Sequence, residues 1–93
     1  MFIAGIKATL HFPNAFSLKD RRQVLESLKR RLIQHHGASV KQIGEKDKWQ
    51  AATLAIALAC ESEGEARDRT EAVRRELETG YEYELTAFEL TLC

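Results

Sequence analysis

Phe2-Ile3-Ala4-Gly5-Ile6-Lys7-Ala8-Thr9-Leu10-His11-Phe12 alternates in character from one residue to the next. Its even positions are apolar throughout, whereas its odd positions include Gly5, Lys7, Thr9 and His11. Side chains on a strand point alternately to opposite faces, so this period of two predicts a β-strand with one face turned to a core. Pro13-Asn14 ends the strand, because proline cannot donate to the ladder. Beyond Asn14 the period changes. Leu18, Leu25, Leu28 and Leu32, with Val24 alongside, are spaced for one face of a helix. Ser17-Leu18-Lys19-Asp20 has the form of a capping box at its start, and Gly37 after His35-His36 is a natural stop.

A second strand is expected over Ala38 to Ile43, with Gly44 to Lys48 as the turn into a third. That third strand, Trp49 to Cys60, is apolar at nearly every position after Gln50, a pattern of strands covered on both faces. Ser62 to Glu65 is a second capping box, opening a helix that buries Ala66, Val73 and Leu77. Its wet face offers Arg67–Glu71 and Glu71–Arg75 as i,i+4 pairs, and Gly80 ends it. In Tyr81 to Leu92 the apolar phase shifts from Tyr83/Leu85/Ala87 to Phe88/Leu90/Leu92, which predicts a β-bulge near Ala87. The order βαββαβ, two strand–helix–strand units joined by a hairpin, predicts a ferredoxin-like α+β domain over residues 1–93. Its four-stranded antiparallel sheet carries both helices on one face.

The composition agrees with a compact domain of this size: 93 residues, 44% hydrophobic, one proline and five glycines. Charge comes after the apolar N-terminal run instead of before it, and no stretch approaches the roughly 20 apolar residues of a membrane span. Cys60 and Cys93 are too far apart in sequence, and too few, for a disulfide framework or a zinc site. A cytoplasmic protein with reduced thiols is therefore expected, without membrane, metal or cofactor. The net charge of zero conceals a split. Residues 1–50 hold ten Lys/Arg against four acids, and residues 51–93 four against ten. Such a division marks two surfaces, unless the halves interleave in space and neutralise each other.

Two short motifs carry a family likeness. Ser17-Leu18-Lys19-Asp20-Arg21-Arg22 resembles the Ser-Leu-Lys-acid-basic-basic opening of the first helix in the YlxP-like family (domain of unknown function 503), and Asp47-Lys48-Trp49-Gln50 is similar to that family's Asp-x-Trp-Gln signature. The resemblance extends over essentially the whole chain. It implies a bacterial, ferredoxin-like protein of no established activity, encoded beside genes of translation initiation and ribosome maturation. A partner near the ribosome is what that neighbourhood implies.

The residues narrow the chemistry. His11 to Phe16 has neither the glycine nor the arginine of a phosphate-cradling loop, and no paired cysteines for metal transfer. The predicted open face offers Ile3, Gly5, Lys7 and Thr9 beside Ala51, Thr53, Ala55, Ala57 and Ala59, without the aromatics on which RNA bases stack. Ser17 and Ser62 are caps, Cys60 is predicted to be buried and Cys93 is terminal, so no nucleophile–base–orienter set can be assembled; no catalytic residue and no enzyme is expected. His35 and His36 are adjacent on a helix and point about 100° apart, which suits the helix dipole better than a ligand pair.

Two candidate surfaces remain. Lys19, Arg22, Lys29 and Arg30 cluster opposite the leucine stripe, with Glu26 among them, and could contact phosphates of a ribosomal subunit or RNA. Ile3, Gly5, Ala55, Ala57 and Ala59 form a smooth sheet face that a partner or a second copy, as a homodimer, could cover. Trp49 and Gln50 either anchor a partner or close the hairpin end of the core, with Gln50 bonding the turn backbone.

Overall fold

The computed structural model describes residues 1–13, 18–44 and 50–93, with Leu18 described by its backbone alone. The order is β1 (Phe2–His11), α1 (Leu18–His36), β2 (Ser39–Ile43), β3 (Ala51–Cys60), α2 (Glu63–Glu78) and β4 (Glu84–Leu92). The strands form one sheet in the order β2-β3-β1-β4, every neighbour antiparallel. This is the ferredoxin-like α+β arrangement that the alternating periods predict. The capping role of Ser17, the burial of Leu18 and the placement of Trp49 lie outside the described residues.

The alternation in β1 decides which face is covered. Ala4, Ile6, Ala8 and Leu10 are buried, as are Ala52, Leu54, Ile56, Leu58 and Cys60 of β3. Leu25, Leu28 and Leu32 of α1 and Ala66, Val73 and Leu77 of α2 complete the same core. Helix α2 lies on β1, β3 and β4, and α1 on α2 and β2. The other face of β3 is open in the single chain: Ala51, Thr53 and Ala55 are half-buried, and Ala57 and Ala59 are exposed. Its continuous apolar run therefore does not have the two-sided cover that such a run leads one to expect.

The helix ends obey local chemistry. Gly37 adopts φ +61°, and its N–H donates to the Ile33 carbonyl at 3.1 Å, an αL cap that β-carbon sterics reserve largely for glycine. Ser62 Oγ accepts from the Glu65 N–H at 3.1 Å, but the reciprocal bond runs to Glu65 Oε2 from the N–H of Glu61, not of Ser62. On α2, Arg67 pairs back with Glu63 (3.2 Å) and Arg74 with Glu71 (3.7 Å). The expected Arg67–Glu71 and Glu71–Arg75 pairs do not form among the described residues.

Strand β4 contains the expected irregularity. Thr9 pairs with Ala87 and Leu10 with Leu85, so Thr86 is the extra residue, and its hydroxyl donates to the Thr9 carbonyl at 3.2 Å. The bulge keeps Leu85 on the core side with Phe88, Leu90 and Leu92. Ahead of it Tyr83 is buried, its ring 5.9 Å from that of Phe12. Gly80 is small for this reason: a Cβ there would overlap the Tyr83 ring. Its role is space, not the left-handed backbone of Gly37.

The buried Tyr83 hydroxyl has no hydrogen-bond partner among the described residues. Burial, with help from Glu76 and Glu82 and against the pull of Arg31, raises its pKa from 10.0 to about 12. A neutral form favoured by folding stabilises below the unfolded value, and that stability is lost as pH rises from 10.0 towards about 12. Tyr83→Phe is expected to hold or raise the melting temperature at neutral pH and to flatten the alkaline fall in stability between those values. Gly80→Ala should cost about 1–3 kcal/mol by overpacking. By contrast Gly64→Ala, in α2 with nothing within 4 Å of the new Cβ, should gain up to about 1 kcal/mol. Urea midpoints at unchanged m-value would check both glycine variants.

Candidate functional site

Helix α1 buries Leu25, Leu28 and Leu32, which turns Lys19, Arg22 and Arg30 outwards, all exposed, with Lys29 at the flank. Lys29 is tied to Glu26 at 3.1 Å. Lys19, Arg22 and Arg30 make no ion pair among the described residues. Half-exposed Ile33 continues the same face. The structure therefore gathers the four predicted basic residues on one side of the molecule, three of them free to meet an anion.

The neighbouring arginines are spent inside the fold. Arg21, one position before Arg22, is only 2% exposed and donates through Nη1 to the Ala51 carbonyl at 2.8 Å. Consecutive helical residues diverge by about 100°, so one arginine of the pair enters the core edge while the other faces out. The spacing contained this signal: Arg21 lies four before Leu25 and seven before Leu28, on the leucine stripe. Arg31 leans to α2, with Nε 3.6 Å from Glu76 Oε2.

Arg21 also ties the first family-like motif to the strand that follows the second. It reaches the first residue of β3, while the Gln50 carbonyl accepts from the Phe12 N–H at 2.8 Å. The Gln50 side chain is exposed. Its backbone carbonyl thus extends the β1–β3 ladder by one pair beyond His11 and Ala51.

At the other end of α1 a cluster forms that sequence spacing alone does not show. Glu76 Oε1 lies 3.1 Å from both His35 Nδ1 and His36 Nε2. Burial pushes the Glu76 carboxyl up, but the hydrogen bonds and charge of the two histidines outweigh it, and the net shift is below 4.5. Arg69 completes the junction, donating to the His36 carbonyl at 2.7 Å and the Ala59 carbonyl at 2.8 Å. These contacts satisfy a helix C-terminus and clamp α1 to α2. No group of three His, Cys, Asp or Glu among the described residues is placed to hold a metal ion.

The second candidate surface is the opposite side of the sheet. Gly5, Ala55 and Ala57 floor a shallow depression there, rimmed by Lys7, Lys41 and Glu89. Ile3 is half-buried and Ala59 exposed at one end of the same face. Because both helices cover the other side, the basic face of α1 and this sheet face point in opposite directions. Cys60 is buried and Cys93 exposed, and both are free. No described helix is long and apolar enough to cross a membrane.

A family model described as Protein of unknown function (DUF503) matches residues 3–90. No curated protein matches the chain.

Glu76→Gln is expected to lower stability by about 1 kcal/mol at neutral pH, since its charged hydrogen bonds are partly exposed. A lowered carboxyl pKa stabilises above 4.5 and ceases to do so as pH falls through the folded value. The difference between wild type and variant should therefore shrink below pH 4.5 in a series of thermal melts.

Proposed function

The chain belongs to that family of unknown function, and we propose that it is a non-enzymatic accessory factor that contacts RNA of the translation machinery through the outer face of α1. The observation that carries this reading is the side-by-side exposure of Lys19, Arg22 and Arg30, unpaired among the described residues, with Lys29 beside them. In a chain of zero net charge these cations are not a general excess. Cations at positions 19, 22, 29 and 30 recur along one helix face, an arrangement that suits phosphates along a backbone and carries no base readout, so the expected binding is shape-led and salt-sensitive. Among the described residues the sheet face supplies no aromatic platform, which favours backbone contact over base stacking. The neighbourhood implied by the family resemblance points the same way, towards the ribosome. The non-enzymatic part is supported by the placement of the nucleophiles: Ser62 is engaged as a cap, and the Cys60 thiol is buried against the Leu58 carbonyl.

A second reading, a protein-interaction module without nucleic acid, is favoured by the small apolar residues Ile3, Gly5, Ala55, Ala57 and Ala59 on the open sheet. Salt separates the two, because apolar interfaces are not weakened as phosphate contacts are.

Co-sedimentation with ribosomal subunits across a salt series tests the proposal. Three to four phosphate contacts predict a log–log salt slope of about −2 to −4. A Lys19→Glu/Arg22→Glu/Arg30→Glu variant, checked for fold by circular dichroism, should lose the binding. Binding that survives in this variant, or none by the wild type at low salt, would overturn the reading.

A further inference from the structure

The open sheet face is self-complementary when read in rows across the strands. In the order β2-β3-β1-β4 three rows can be written from the register: Ser39-Ala57-Gly5-Thr91, Lys41-Ala55-Lys7-Glu89 and Ile43-Thr53-Thr9-Ala87. All of these side chains lie on the face away from the helices. Two copies placed face to face by a two-fold axis must have that axis in the plane between them. If it runs parallel to the strands, between β3 and β1, every row meets itself reversed. Ser39 then faces Thr91, Ala57 faces Gly5, Ile43 faces Ala87 and Thr53 faces Thr9. Lys41 faces Glu89, and the symmetry makes this pair twice.

Lys7 is the remaining charge. It faces Ala55 of the second copy, where the small side chain leaves room, and it is flanked by Glu89, its own cross-strand neighbour. Each Glu89 thus lies between two lysines. An axis across the strands through the same row would instead set Lys41 on Lys41, Lys7 on Lys7 and Glu89 on Glu89. Charge alone selects the parallel axis. In the single chain Lys7, Lys41 and Glu89 make no ion pair among the described residues.

Gly5 supplies an independent observation. It stands in the middle of a ten-residue strand, where glycine weakens the strand by entropy. Its φ is not positive, and a Cβ would meet only the Thr91 carbonyl, at 3.6 Å. Nothing within the chain requires a glycine there. A second layer approaching closely would.

We propose that this face is the interface of a homodimer in which two sheets stack about a two-fold axis parallel to the strands, Lys41 of each copy against Glu89 of the other. The product is a four-layer helix–sheet–sheet–helix sandwich. It gives β3 the two-sided cover that its composition anticipates, and it leaves both α1 basic faces outermost. Strands of five, ten, ten and nine residues, about 4.8 Å apart with a rise of about 3.3 Å, span on the order of 500 Å² a side. That is at the low end of specific interfaces, which predicts a dimer in measurable exchange with monomer. The inference does not depend on RNA contact.

Sedimentation equilibrium over a wide concentration range tests it. Wild type should show a reversible monomer–dimer equilibrium. Lys41→Glu or Glu89→Lys alone should raise the dimer Kd about tenfold or more, and the double swap should restore it to within about threefold. Gly5→Ala, whose added Cβ meets only the Thr91 carbonyl at 3.6 Å within the chain, should fold and weaken the dimer, and Gly5→Val, checked for fold by circular dichroism, should leave monomer only. A wild type that is monomeric at the highest attainable concentration would overturn the proposal. A dimer indifferent to these substitutions would do so too, and would point to pairing along the free edge of β4.

Discussion

The antiparallel pairing of β1 with β3 is the constraint on which the rest of the structure depends. Ten residues on each strand match without interruption, from Phe2 with Cys60 to His11 with Ala51. Because side chains alternate, a slip of one residue would turn Ala4, Ile6, Ala8 and Leu10 to water and bring Lys7 into the core. The register therefore decides which face receives the helices, and by exclusion which face is left for something else. Both outer strands are read from this central pair, β2 against β3 and β4 against β1.

Helix placement on that face is secured by a few polar groups at the edges of an apolar core. Arg21 ties the start of α1 to the start of β3, and Arg69 ties the end of α1 to α2 and the end of β3. Glu76 gathers Arg31, His35 and His36 from α1 onto one carboxylate of α2. The charge split between the halves of the chain is partly resolved by these contacts. The halves do interleave, since the sheet alternates strands from each, and part of the basic excess is neutralised at Glu76. On the outer face of α1 Lys29 pairs with Glu26 of the same helix, while Lys19, Arg22 and Arg30 make no ion pair among the described residues.

The result is a molecule with two unlike sides. One presents a row of flexible cations suited to a polyanion of irregular shape. The other presents small side chains crossed by one row of charges, Lys41, Lys7 and Glu89, suited to a flat and complementary surface. A sheet-stacked dimer would join them functionally without altering either: the apolar sides would vanish inward, and two basic helices would face outward in opposite directions. Effective affinity for an extended polyanion with spaced sites would then rise through bivalency, with no new contact.

The order of elements, the buried face of β1, the leucine stripe of α1, the Ser62 cap and the bulge in β4 were all legible in the sequence. Each depends on spacings within a few residues, where backbone geometry leaves little choice. Arg21 was legible in principle, four residues before Leu25, but its charge argued against a buried position, and a partner such as the Ala51 carbonyl is supplied by the packed fold. Glu76 with His35 and His36 could not be read at all, because some forty residues separate partners that meet only after α1 and α2 pack. The same holds for the row Lys41-Ala55-Lys7-Glu89, drawn from four strands. Local spacing settles which way a side chain points; which side chains become neighbours across the sheet is decided by register, a property of paired strands and of no segment alone.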